Sequence, residues 1–145
     1  MRLVALILIL IAPTWAVAAK FDQDVKFKDL GPVAVVLSDS AIGGCWTNLK
    51  EAKNYAEAQL DMVGATVVDD MKDAAVGLDI FVSAERLSNF PQCYGTTIVR
   101  VINFGKRNNI NAVFLYSTIG QIAAFQDNLN IMVLDLIKMA VDEWR

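Results

Sequence analysis

The chain has 145 residues, a length for one domain, with a formal net charge of −3 and no histidine. The missing histidine removes Ser-His-Asp and Cys-His catalysis and the usual zinc and copper ligand sets, so any chemistry must come from carboxylates, Lys, Tyr, Ser or Thr. The acidic balance argues against nucleic acid or anionic lipid as the main partner, since both require a basic face.

Met1-Arg2 supplies one positive charge, and Leu3 to Ile11 is an unbroken apolar run. Pro13 breaks the helix that run would form, and Ala16-Val17-Ala18 is a small-x-small cleavage pattern. These are the three regions of a secretory signal peptide. The run falls far short of the ~20 apolar residues a membrane span needs. Residues 1–19 are therefore expected to be a cleaved leader, cut after Ala18 or Ala19, and residues 20–145 a single domain. No cysteine lies near the cut, so no lipid is expected there. No second apolar span follows, and the mature chain is expected in a periplasm or secreted, without a stable membrane span.

Phe21 to Leu30 is a mixed, charged lead-in that suits a helical turn. Val33-Ala34-Val35-Val36-Leu37 is a β-branched run of the kind found in interior strands. Gly43-Gly44-Cys45-Trp46 lies in the loop that follows. Asn48 with Glu51 resembles a capping box. Leu49, Ala52, Ala56, Leu60 and Val63 then recur at helical spacing, and Gly64 stands at the helix stop. Thr66-Val67-Val68 is a short strand. From Val76 to Glu85 apolar and polar residues alternate, which predicts a strand with one wet face. Asn89 and Pro91 mark a turn. Tyr94 to Phe104 reads as the return strand of an antiparallel hairpin, its core face undecided between Ile98/Ile102 and Val99/Val101. Gly105 to Asn111 reads as a loop, with Lys106-Arg107 at its solvated tip. Ala112–Ser117 and Gln121–Phe125 read as a further hairpin about Thr118-Ile119-Gly120. Asp127 or Asn128 is placed to cap a last helix whose buried stripe is Leu129, Met132, Val133, Leu136, Ala140 and Trp144.

This order predicts an α+β two-layer sandwich: one mostly antiparallel sheet of about six strands, with two helices packed on one face (β-α-β-β-β-β-β-α). The β-α-β unit adds one parallel pair. Cys45 and Cys93 are the only cysteines. In an oxidising compartment they are expected to pair, closing a loop of ~49 residues worth about 4 kcal/mol on the chain-entropy account. Intermolecular or free thiols and a redox role are the alternatives, the latter without C-x-x-C spacing.

The residues from Val33 to the last helix resemble an α/β module of bacterial envelope proteins. The module occurs in the amino-terminal domain of TolB and in lipoproteins that activate penicillin-binding proteins or export curli. The likeness rests on the strand Val33–Leu37, the helix ending Leu60-x-x-x-Gly64 and the strand Val67-Val68-Asp69. It continues through Ala74-Ala75, Gly77-Leu78-Asp79-Ile80-Phe81-Val82, the late Gly120 and the closing helix. The lipid-attachment cysteine of the lipoproteins is missing here, and the cysteine pair is foreign to the pattern. The resemblance implies binding or scaffolding with protein partners rather than catalysis.

The residues singled out as a partner or ligand patch are Gly43, Gly44, Trp46, Thr47, Asn48 and Tyr94. Free N–H groups at the first helix start suit an anion, while the plainer reading is a tight loop that lets Cys45 reach its partner. Trp46 and Tyr94 each follow a cysteine and read either as a recognition patch or as packing over the bridge. Asp69, Asp70, Asp73 and Asp79 read as solvated turn residues rather than a calcium loop. Arg100 reads as a functional charge or a salt-bridge partner. No metal or cofactor is expected. The functional expectation is a non-catalytic binding module of the cell envelope, with an envelope protein as partner. A small-ligand carrier and a carboxylate-based hydrolase are the alternatives.

Overall fold

Pro32 ends the lead-in, and the β-branched run after it forms β1 (Val33–Asp39). The structure is a computed structural model that describes residues 26–89, 91–107 and 110–145; the expected leader lies outside the described residues. After β1 come α1 (Leu49–Met62), β2 (Val67–Val68), β3 (Val76–Arg86), β4 (Cys93–Arg107), β5 (Ile110–Gln126) and α2 (Asn130–Glu143). The lead-in contributes one 3-10 turn, Phe27–Asp29. Phe27 is fully buried, donates its N–H to the Trp144 carbonyl, and sets its ring 5.7 Å from that of Trp144.

The sheet order is β2-β1-β3-β4-β5. The α+β class and the two helices are as expected, but the sheet has five strands rather than six. Ala112–Ser117 and Gln121–Phe125 belong to one strand, β5, and Gly105 and Lys106-Arg107 lie within β4 rather than in a loop. The sheet is mixed. β1 pairs in parallel with both β2 and β3, one parallel pair more than expected, while β3/β4 and β4/β5 are antiparallel.

Register puts Val33, Val35, Val76, Leu78, Ile80, Val82, Val99 and Val101 on one face. All are buried, together with Ala52, Ala56 and Leu60 of α1 and Val133, Leu136, Ile137, Ala140 and Val141 of α2. This settles the core face of β4 on the Val99/Val101 side. α1 lies over β1 and β2, α2 lies over β4 and β5, and the helices pack on each other.

The opposite face is drier than the alternation in β3 suggests, because Gly77 and Asp79 are buried on it. Asp79 accepts Arg100 Nε at 2.6 Å and Ser38 Oγ at 2.7 Å, and the Arg100 guanidinium sits 5.9 Å from the Phe81 ring centre. Arg100 is thus the salt-bridge partner of a buried carboxylate.

Candidate functional site

β1 does not release the chain at Asp39. The N–H groups of Ser40 and Ile42 continue along β3, donating to the carbonyls of Val82 and Ala84 at 2.8 Å each. Gly43 and Gly44 then both take left-handed backbone, with φ of +66° and +73°. Two such residues in succession are cheap only for glycine. A Cβ on Gly43 would also stand 3.0 Å from the Arg86 Cβ. This double turn delivers Cys45 to Cys93, the first residue of β4, with Cα atoms 5.6 Å apart and the disulfide formed.

Three segments are tied at this end. Arg86, at the end of β3, donates to the Gly43 carbonyl at 3.0 Å and to the Asp127 carbonyl at 2.9 Å. The Leu129 N–H donates to the Cys45 carbonyl. Thr47 and Asn130 exchange hydrogen bonds: Thr47 N–H to Asn130 Oδ1, and Asn130 Nδ2 to Thr47 Oγ1. Neither Asp127 nor Asn128 is the cap of α2: Leu129 holds that position without a side-chain cap bond, and Asn128 Oδ1 accepts the Asn130 N–H from one residue further out.

The outer surface of this end carries large apolar side chains among polar ones. Ile42 is 61% exposed, Tyr94 54% and Leu87 41%. These are three of the six exposed large apolar side chains among the described residues; Met62, Ile131 and Met139 lie on the helices. Ile42 and Tyr94 face a shallow depression of about 320 Å³, lined also by Ser40, Ser83, Glu85 and Thr96. Gly95 forms part of its wall. A Cβ there would run into the Ser83 carbonyl and Ala84, so only glycine lets β4 approach β3 this closely. Glu85 stands directly across from Tyr94 in the ladder and is exposed.

The residues picked out from sequence separate into two groups. Tyr94 is on the surface, and Gly43 and Gly44 build the turn beside it. Trp46 is not part of any exposed patch: it is 4% exposed and belongs to the core, with no hydrogen-bond partner for Nε1. Thr47 is committed to Asn130. Asn48 does not cap the backbone of α1; its Nδ2 donates to Glu51 Oε2 at 3.0 Å. The glycine-rich loop therefore acts as the bridge-forming turn. Asp70 accepts the Lys72 N–H and pairs with its ammonium, and no group of three or more metal-ligating side chains occurs among the described residues. Sequence reasoning passed over Ile42 and Leu87. Both lie in loop segments with no periodicity to mark them, although an isoleucine before two glycines is a signal of sorts.

No family model and no curated protein matches the chain. Among solved structures, a dodecamer of PelC from Paraburkholderia phytofirmans superposes with a TM-score of 0.45 and 13% identity, over 79% of this chain and 90% of that one. A likeness of that degree carries no argument about function.

Proposed function

We propose that this is an exported, non-catalytic binding module of the cell envelope that docks on a partner protein through the disulfide-linked end of its sheet. The observation that carries the reading is the placing of Ile42 and Tyr94, both exposed about one shallow depression, on segments held by the Cys45–Cys93 bridge and Arg86. Aromatic and large aliphatic side chains on a rigid frame are what interface anchors require, since little order is lost on binding. Glu85 beside Tyr94 gives the surface an acidic edge, which suits a partner segment that offers an apolar side chain and a cation. Export is supported by the amino-terminal sequence pattern and by a disulfide, which persists in oxidising compartments. No described helix is long and apolar enough to cross a membrane.

A small-ligand carrier is the second reading, and the depression beside Tyr94 has the volume for it. Ligand pockets, however, enclose most of their ligand in a mainly apolar lining. This one is open, and half of its lining is Ser40, Ser83, Glu85 and Thr96.

The test is a photo-crosslinking amino acid at Tyr94 or Ile42 in the producing cell, with a control at exposed Glu143. A single envelope protein captured from Tyr94 and Ile42 but not from the control is the expected result. Adducts equal to the control at all three positions would remove the proposal.

A further inference from the structure

The two edges of the sheet differ greatly. β2 is two residues long and offers a neighbour almost nothing. β5 is seventeen residues long and, among the described residues, pairs only with β4. An edge strand of that length exposes a row of unpaired N–H and C=O groups. Proteins ordinarily blunt such edges with charge, proline or a bulge. The β5 sequence, INAVFLYSTIGQIAAFQ, has no charged residue and no proline.

It does have two register shifts. One sets an extra β5 residue, Tyr116, between the rungs Val101/Ser117 and Ile102/Leu115; the other lies between Ala123 and Gln126. Bulges twist the strand and interrupt further pairing. They leave two clear stretches, Ser117–Ala123 in the body of the sheet and Ile110–Leu115 at the hairpin tip. The tip stretch has lost its support from β3, whose last rung with β4 is Gly77/Ile102. Beyond that rung the ladder among the described residues joins Asn103–Arg107 to Ile110–Phe114 and has no third strand. A two-stranded ribbon is marginal in water, and a third strand is what makes such a unit stable.

We infer that Ile110–Leu115 is a self-association edge, where a second copy of this chain adds its own β5 as the third strand. Two-fold symmetry makes the contact isologous, and a two-fold axis normal to the sheet sets the two β5 strands antiparallel. Each copy thereby completes the other's ribbon. Charge favours this edge over the rest of the surface. The chain as a whole is acidic and repels its copies, while β5 itself brings no charge and the β4 rungs beside it carry the cations Lys106 and Arg107, which suit an acidic copy. The inference is independent of the docking surface, which involves neither this edge nor the hairpin tip.

The test uses the full exported chain with its disulfide intact. Light scattering between roughly 1 and 100 µM should show the mass doubling by mass action. Hydrogen exchange over the same range should slow about ten-fold, confined to the amides of Ile110–Leu115. Ala112→Lys and, separately, Val113→Lys bring like charges together at the two-fold contact and should return the mass to one chain. Circular dichroism reports whether each variant is folded. Because the exchange arm needs no variant, a misfolded variant leaves the test decisive. A single-chain mass throughout, or a doubled mass whose slowed amides lie outside Ile110–Leu115, overturns the inference.

Discussion

Asp79 is the one buried carboxylate among the described residues, and each of its oxygens has a partner. Removing one partner of a buried charge costs more than the pair contributes, because the remaining charge stays desolvated. Arg100 is partly exposed, which discounts the figure. Arg100→Leu should therefore destabilise by about 2 kcal/mol in urea unfolding. Adding Asp79→Asn should recover part of that loss, since the charge then disappears. A double variant no more stable than Arg100→Leu alone would show that Asp79 does not depend on Arg100. Thr97 presents the reverse case. It is fully buried on the helix-covered face, and its hydroxyl has no hydrogen-bond partner. Replacing it by an apolar group of the same shape removes a desolvation penalty. Thr97→Val should raise stability by about 1 kcal/mol, read as a higher urea midpoint at unchanged slope.

At the scale of the element, α2 shows a local electrostatic device. The hydrogen bond between Lys138 Nζ and Asp142 Oδ2, 2.6 Å long, holds the Asp142 carboxyl below the usual carboxylate range and the Lys138 ammonium above the usual lysine range. A lowered carboxylate contributes stability above its ordinary pKa and loses it as pH falls through the lowered value. A raised ammonium contributes below its ordinary pKa and loses it as pH rises through the raised value. The last turns of α2 should therefore hold through neutral pH and fray at both extremes. Both groups face solvent, so added salt should flatten the profile. The protection of amides 138–143, taken relative to the intrinsic exchange rate at each pH, measures this, and Asp142→Asn should flatten its pH profile. The helices were legible in sequence because burial alternates at helical spacing: Leu60 and Ala56 on α1, Val133, Leu136 and Ala140 on α2. β1 was legible from its β-branched run. The break expected at Thr118-Ile119-Gly120 was not real, because Gly120 has a second use. It keeps strand backbone opposite Ile98, where a Cβ would meet Ile98 Cγ1 at 3.3 Å and the Thr97 carbonyl at 3.4 Å. Close approach and turning favour the same residue, and sequence alone does not separate them. At the site, the cysteine pairing was readable, while Tyr94 was left between surface and packing and lies exposed. The burial of Trp46 was not, since it depends on how the 45–48 loop meets the start of α2.

Across the whole molecule, β1 and β4 are not neighbours, because β3 lies between them. The Cys45–Cys93 bridge joins the loop after β1 to the start of β4, and so closes the sheet over the end of β3. Its residues are 48 positions apart, and both are fully buried. A crosslink acts mainly on the unfolded chain, by removing the freedom of the loop it closes. A loop of this length gives about 4 kcal/mol, a large share of the ~5–15 kcal/mol that holds a typical domain. The native geometry has further ties at the same end: Arg86 to Gly43 and Asp127, Thr47 to Asn130, and Leu129 to Cys45. These hold the three segments together without the covalent bond. The double substitution Cys45→Ala and Cys93→Ala should therefore leave a folded domain with native far-ultraviolet dichroism, less stable by about 3–4 kcal/mol. The urea midpoint should fall, and thiol reductant should no longer shift it, whereas the same reductant should lower the midpoint of the oxidised chain. An oxidised chain and a double-alanine chain with equal midpoints would show that the bridge does not constrain the unfolded state. Collapse of the double-alanine chain to disorder would show that the Arg86 and Asn130 ties hold nothing without it.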